Sequence, residues 1–119
     1  MNGQKKILII EDEKALRLVF KHKLEHEGFI VDTAETLELG EELLSTNTYD
    51  VISTDLIINS KSGFEILKKF AHLKTPIVVT SSLSQESDKG KAAALGAKAY
   101  LSKIDLSISD IIEEIKKLL

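Results

Sequence analysis

Five short apolar runs, separated by amphipathic stretches, constrain this chain more than any other feature. They cover residues 5–10, 29–33, 51–55, 76–81 and 98–102. Runs of this length read as strands, and Ile7-Leu8-Ile9-Ile10 is apolar throughout, as a strand buried on both faces of a parallel sheet must be. Pro76 opens its run, where no ladder donor is missed. The stretches between read as helices. One runs to about residue 27, with Ala15, Leu16, Val19, Phe20 and Leu24 on its apolar face and Gly28 ending it. Another covers 35–45, with Leu39, Leu43 and Leu44 at helical spacing and Gly40 at a close-packing position. Residues 59–63 read as a loop, and 64–72 as a helix with Phe64, Ile66, Leu67 and Phe70 inward. A fourth helix, capped by Ser84 or Ser82, carries Gln85 and Glu86 in its first turn and runs to about residue 95. Gly90 weakens it and Gly96 ends it. The last opens at Ser107 or Ser109 and presents Ile111, Ile112, Ile115, Leu118 and Leu119. Five strands alternating with five helices make an α/β fold, a parallel sheet covered on both faces, in one domain over residues 1–119.

In such a sheet all strands end along one edge, where ligand sites of open α/β folds form. Glu11, Asp12, Asp55, Ser81 and Lys103 all fall there. Each has a bland reading that is the commoner one for a residue taken alone. Acids before a helix are often caps, a strand-end Asp is usually solvated, a Ser satisfies local backbone, and a Lys points into water. Their coincidence at four strand ends outweighs those readings. Carboxylates meeting at one edge repel by roughly 4 kcal/mol per pair at ~4 Å and an effective dielectric of ~20. A hard divalent cation relieves this, and oxygen donors from few residues suit Mg²⁺. Ser81 offers a hydroxyl donor and Lys103 a mobile point charge, both suited to an oxyanion. Together they describe a phosphoryl-transfer site with Asp55 as nucleophile.

Composition removes other classes. A net charge of −3 argues against sequence-independent nucleic-acid binding. Cysteine is absent, which excludes disulfides, thiolate nucleophiles and zinc–cysteine sites. The apolar runs are too short to insert into a membrane, and the first residues carry no signal-peptide pattern, so the cytosol is the expected location.

These residues resemble those of the receiver domains of two-component response regulators, over essentially the whole chain. Glu11-Asp12 matches the acidic pair, Asp55 the phosphoacceptor, and Gly63 the glycine of the following loop. Ser81, with Ser82 beside it, matches the hydroxyl position; Tyr100 matches the aromatic switch and Lys103 the lysine. The resemblance implies a flavodoxin-like, doubly wound sheet of order 2-1-3-4-5. It also implies that Asp12, Asp55 and the backbone carbonyl of Ile57 hold Mg²⁺, with Glu11 acting through water. A sensor histidine kinase or phosphotransfer protein would donate to Asp55. Ser81 would then move towards the phosphoryl oxygens and Tyr100 inward, altering the face of the fourth helix, fifth strand and last helix, where a downstream protein partner binds. Such a protein catalyses only its own phosphorylation and dephosphorylation. By the same resemblance, Ile57 and Leu83 flank the path of a hydrolytic water.

The chain departs from the family pattern at Asn59 and Ile104, where proline is usual. Without proline the Lys103–Ile104 bond is expected to be trans, since a cis form costs ~3–4 kcal/mol. No DNA-binding or enzymatic segment follows Leu119, so a stand-alone regulator acting through a protein partner, without direct nucleic-acid contact, is expected. A receiver-like binding module that works without phosphorylation is the alternative. A haloacid-dehalogenase-type phosphatase would carry a second Asp where Ile57 stands. A flavin or dinucleotide domain would carry a glycine-rich loop where Glu11-Asp12-Glu13 stands.

Overall fold

The computed structural model describes residues 3–83 and 85–119. The elements are β1 (Lys6–Ile10), α1 (Lys14–His26), β2 (Ile30–Ala34), α2 (Leu37–Thr46), β3 (Val51–Asp55), β4 (Ile57–Ile58), β5 (Lys61–Ser62), α3 (Phe64–Phe70), β6 (Ile77–Ser81), α4 (Glu86–Ala94), β7 (Ala99–Ser102) and α5 (Ile108–Lys116). Five strands form one sheet in the order β2-β1-β3-β6-β7, with every pairing parallel. Counted within that sheet the order is 2-1-3-4-5, the flavodoxin-like arrangement.

Side-chain alternation splits the core into two layers. Leu8, Ile10, Ile52, Ile77 and Val79 face α2, α3 and α4, where Leu37, Leu44, Phe64, Leu67 and Ala92 complete one cluster. Ile7, Ile9, Val51 and Val78 face Phe20 and Leu24 of α1 and Ile111, Ile112 and Ile115 of α5. Burial on both faces explains why residues 7–10 of β1 and 77–79 of β6 run apolar without a polar alternate. Among the described residues no helix is long and apolar enough to cross a membrane.

Several details differ from the sequence expectation. On α1 only Phe20 and Leu24 are buried and Ala15 is exposed, because the helix covers the sheet along a narrow stripe. On α2, Leu37, Gly40 and Leu44 face inward while Leu39 turns to solvent. A Cβ on Gly40 would lie 2.7 Å from Ile10 Cδ1, so its close-packing role holds. Helix α3 stops at Phe70. The N-cap of α4 is Gln85, with no side-chain capping bond, and not Ser82; Ser84 lies outside the described residues. Glu86 and Asp88 supply the acidic first turn. Ser107, not Ser109, caps α5, in a reciprocal capping box with Asp110. The expected loop at 59–63 contains strand β5, paired antiparallel to β4. Two-residue strands carry no periodicity that a sequence can display.

Candidate functional site

The parallel register delivers the strand ends to one place. Ile10 of β1 sits opposite Thr54, Asp55 opposite Thr80, and Ser81 opposite Ser102. Asp55 and Ser81 therefore lie in the last ladder pairs, Glu11 and Lys103 one step beyond them and Asp12 two steps beyond. Backbone bonds hold that edge: Glu11 N–H donates to Ala34 O at 2.9 Å, Leu56 N–H to Thr80 O at 2.8 Å and Lys103 N–H to Ser81 O at 2.7 Å.

Lys103 Nζ donates to Asp55 Oδ2 and to Glu11 Oε1, each at 2.7 Å. It thus bridges two acids from non-adjacent chain segments. The second oxygen of each is also engaged: Leu56 N–H donates to Asp55 Oδ1 at 2.9 Å, and Glu13 N–H to Glu11 Oε2 at 3.1 Å. Asp12 Oδ2 accepts from Asn59 N–H at 2.8 Å. Oxygens of Glu11, Asp12 and Asp55 lie within 4.8 Å of one another. Glu11 is 3% exposed and Asp55 8%.

Burial sets the acid–base character of the cluster. It pushes the Asp55 carboxyl above its ordinary value; the Lys103 contact and the Leu56 N–H pull back, and the Asp12 charge adds to the rise. Glu11 is raised for the same first reason, opposed by Lys103 and reinforced by Asp55. For Lys103, burial disfavours the ammonium, but its bonds to Asp55 and Glu11 outweigh that and hold it above the ordinary lysine value.

The segment after β3 shapes the mouth of the site. Ile57 and Ile58 pair with Ser62 and Lys61 across a tight turn whose Asn59 and Ser60 have φ of 52° and 65°. Positive φ at both central residues suits a hairpin, and asparagine tolerates it better than most side chains. Gly63 closes the segment, donating to Leu56 O at 2.6 Å. A Cβ there would run into the Asp55 carbonyl oxygen, so the glycine is required by close approach. Ile57 is 48% exposed and Leu83 41%; both line an open cleft of about 390 Å³.

Two expected members stand apart from the carboxylates. Ser81 is buried at the end of β6, yet its hydroxyl donates to Leu83 O at 3.0 Å and accepts from Leu83 N–H at 2.8 Å. The hydroxyl serves local backbone, and its bonds lead to the loop rather than to Asp55. The half-buried Tyr100 places its hydroxyl 3.4 Å from the same Leu83 carbonyl. The Lys103–Ile104 peptide is trans, as expected, with no cis bond among the described residues.

Sequence reasoning missed Arg17, whose guanidinium donates to Glu11 O at 2.9 Å and Asp12 O at 3.4 Å. A signal was available. A cation in the first turn of a helix opposes the dipole, so its presence calls for a partner. Asn59 was noted only as a missing proline; the donor it adds went unread.

Comparison with known proteins places this geometry. The profile of the response regulator receiver domain matches residues 7–116. The KDP operon transcriptional regulatory protein KdpE of Escherichia coli is 39% identical over 98 residues, which cover 82% of this chain and 44% of that protein. This chain spans about half the length of the curated relatives it matches. A CheY-like receiver domain protein of Methanospirillum hungatei superposes with a TM-score of 0.89 at 27% identity, covering 98% of this chain and 94% of its own. TrrA of Thermotoga maritima, solved in complex with Mg²⁺ and BeF, superposes with a TM-score of 0.82 at 26% identity, covering 98% and 100%. Fold, strand order and sequence agree: the chain belongs to the response regulator receiver domain family.

Proposed function

We propose that this receiver is a phosphorylation-driven switch of the cytosol, with Asp55 as its phosphoacceptor. The observation that carries this reading is the double bridge of Lys103 Nζ to Asp55 and Glu11 at 2.7 Å, with Asp12 alongside. In the transfer, an Asp55 carboxylate oxygen attacks phosphorus of a phosphohistidine on a sensor kinase or phosphotransfer protein. The P–N bond breaks, and the imidazole nitrogen leaves with the electron pair and takes up a proton. Lys103 accompanies the aspartyl oxygen and the incoming phosphoryl oxygens as a fixed positive charge.

The donor set fits a hard cation, being all oxygen and drawn from carboxylates that repel one another. Glu11, Asp12, Asp55 and the Ile57 backbone carbonyl are the residues that would hold Mg²⁺. When bound, the ion supplies charge neutralisation for the acids and for the phosphoryl oxygens.

The output follows from the shared tie at Leu83. Ser81 can reach a phosphoryl oxygen only by releasing the Leu83 peptide, the group that Tyr100 also contacts. Freed of that tie, the loop into α4 and the Tyr100 ring can rearrange together. Tyr100 borders a cleft of about 270 Å³ with Gln85, Lys89 and Leu106, on the face of α4, β7 and the start of α5. That face is the surface through which a protein partner would read the state of Asp55. The test is incubation with a small phosphodonor and Mg²⁺, read by intact mass. One phosphoryl group on the wild type and none on Asp55→Asn is the expected result; equal uptake by the variant would remove Asp55 from this role.

A further inference from the structure

Three residues outside the carboxylate cluster close around its loop. Arg17, in the first turn of α1, donates from Nη1 to the carbonyl oxygens of Glu11 and Asp12, at 2.9 and 3.4 Å. Its Nη2 lies 3.8 Å from Glu35 Oε2, and the Arg17 side chain is only 13% exposed. Glu35 in turn accepts, at its carbonyl oxygen, the Asn59 side-chain amide at 3.3 Å. Asn59 completes the circuit, because its backbone N–H donates to Asp12 Oδ2 at 2.8 Å. A continuous set of polar contacts therefore joins α1, the segment between β2 and α2, and the β4–β5 turn around two consecutive acids.

The chemistry of these contacts is selective. The guanidinium beside the acidic loop is satisfied by two backbone carbonyls and by Glu35, and it forms no bond to the carboxylates of Glu11 or Asp12. It braces the loop without taking the place of a cation. The Asn59 N–H fixes one oxygen of Asp12, and a carboxylate retains further lone pairs for a metal. This donor exists only because residue 59 is not proline, and the positive φ of 52° excludes proline there.

We propose that Arg17 and Asn59, linked through Glu35, are positioning residues that hold the Glu11–Asp12 backbone and the Asp12 carboxylate in place for a divalent cation. The proposal rests on reading the acidic cluster as a Mg²⁺ site. Partners that orient metal ligands without touching the metal typically contribute about 10–100-fold in affinity. Arg17→Met should therefore weaken Mg²⁺ binding about 10-fold. Asn59→Gly keeps the left-handed turn and the N–H but drops the link to Glu35, and should weaken binding by a factor of about 2–3, the effect of one exposed hydrogen bond.

The experiment is a Mg²⁺ titration of the full chain and both variants followed by amide NMR, with thermal melts alongside. Metal-free amide exchange is a second readout: the exposed Asn59 N–H should exchange slowly in the wild type and faster in Asp12→Ala. Should Arg17→Met not fold, Asn59→Gly and the exchange measurement still decide. Wild-type binding with unchanged affinity in the folded variants would overturn the bracket and leave the metal site standing, even if their melting temperatures fell. A wild type that binds no Mg²⁺ would overturn the metal site and the bracket with it.

Discussion

At the scale of single residues, the site combines groups that differ in how freely they can act. Lys103 and Asp55 are locked face to face, whereas the Ser81 hydroxyl is tied to the backbone of Leu83 and, on the proposed reading, must release it to take part. The two apolar side chains at the mouth, Ile57 and Leu83, are exposed and border one cleft beside the acceptor. Neither can orient a water by hydrogen bonding, and by the receiver resemblance both would flank the path of a water that approaches phosphorus in line with the aspartyl oxygen. The acyl phosphate is therefore predicted to be long-lived, and Ile57→Asn and Leu83→Glu each to shorten its lifetime. Phosphate release from purified phosphoprotein in Mg²⁺ checks this; unchanged decay in both variants would mean that something else sets the lifetime. The sequence revealed which residue types stand at this mouth. It could not reveal the orientation of the Ser81 hydroxyl, which depends on the backbone of residues 81–83.

At the scale of elements, the short hairpin after Asp55 is the part of the site least legible in the sequence. The apolar run at 51–55 stops short of Ile57 and Ile58, and residues 59–63 read as loop chemistry. The fold resolves them into paired strands because Asn59 and Ser60 both adopt positive φ and Gly63 brings the chain back against Asp55. That return leaves no room for a side chain. Gly63→Ala should destabilise the protein by about 1–3 kcal/mol, the range for forced overpacking, because the obstacle is backbone and cannot rotate away. Urea unfolding measures it; a loss under about 0.5 kcal/mol, the size of an ordinary surface substitution, would show that the loop yields easily. The longer elements were legible because burial dictated their pattern. Residues 7–10 of β1 and 77–79 of β6 run apolar because both sheet faces are covered, and α5 shows its Ile111, Ile112 and Ile115 stripe because it packs flat on the sheet. Helix α1 misled at Ala15, since a face that packs along a narrow stripe leaves small apolar residues free to sit in water.

At the scale of the whole molecule, the sheet gathers charge that the fold alone does not favour. Asp55 and Glu11 are raised above their ordinary values, chiefly by burial, so over the window from the ordinary to the raised values the folded chain binds more protons than the unfolded one. Stability must then fall as pH rises through that window. Lys103 is raised as well, so its contribution is full below the ordinary lysine value and fades as pH climbs through the raised one. Asp55→Asn removes one buried charge and leaves Lys103 paired with Glu11. It should melt higher than wild type at neutral pH and decline less steeply across the acidic window. Melts in chelator-treated buffer over a pH series test this; a lower melting temperature for Asp55→Asn would mean that its bond to Lys103 outweighs the burial of its charge.

On the proposed reading, the same gathering of charge makes Asp55 the nucleophile that accepts a phosphoryl group, and that role can be read at one atom. Borohydride reduces an aspartyl phosphate to homoserine, which marks the acceptor permanently in the chain. Protein phosphorylated by a small donor in Mg²⁺, reduced, digested and sequenced by mass spectrometry should carry homoserine at position 55 and at no other aspartate. Homoserine at another aspartate, with position 55 intact in phosphorylated protein, would contradict the account.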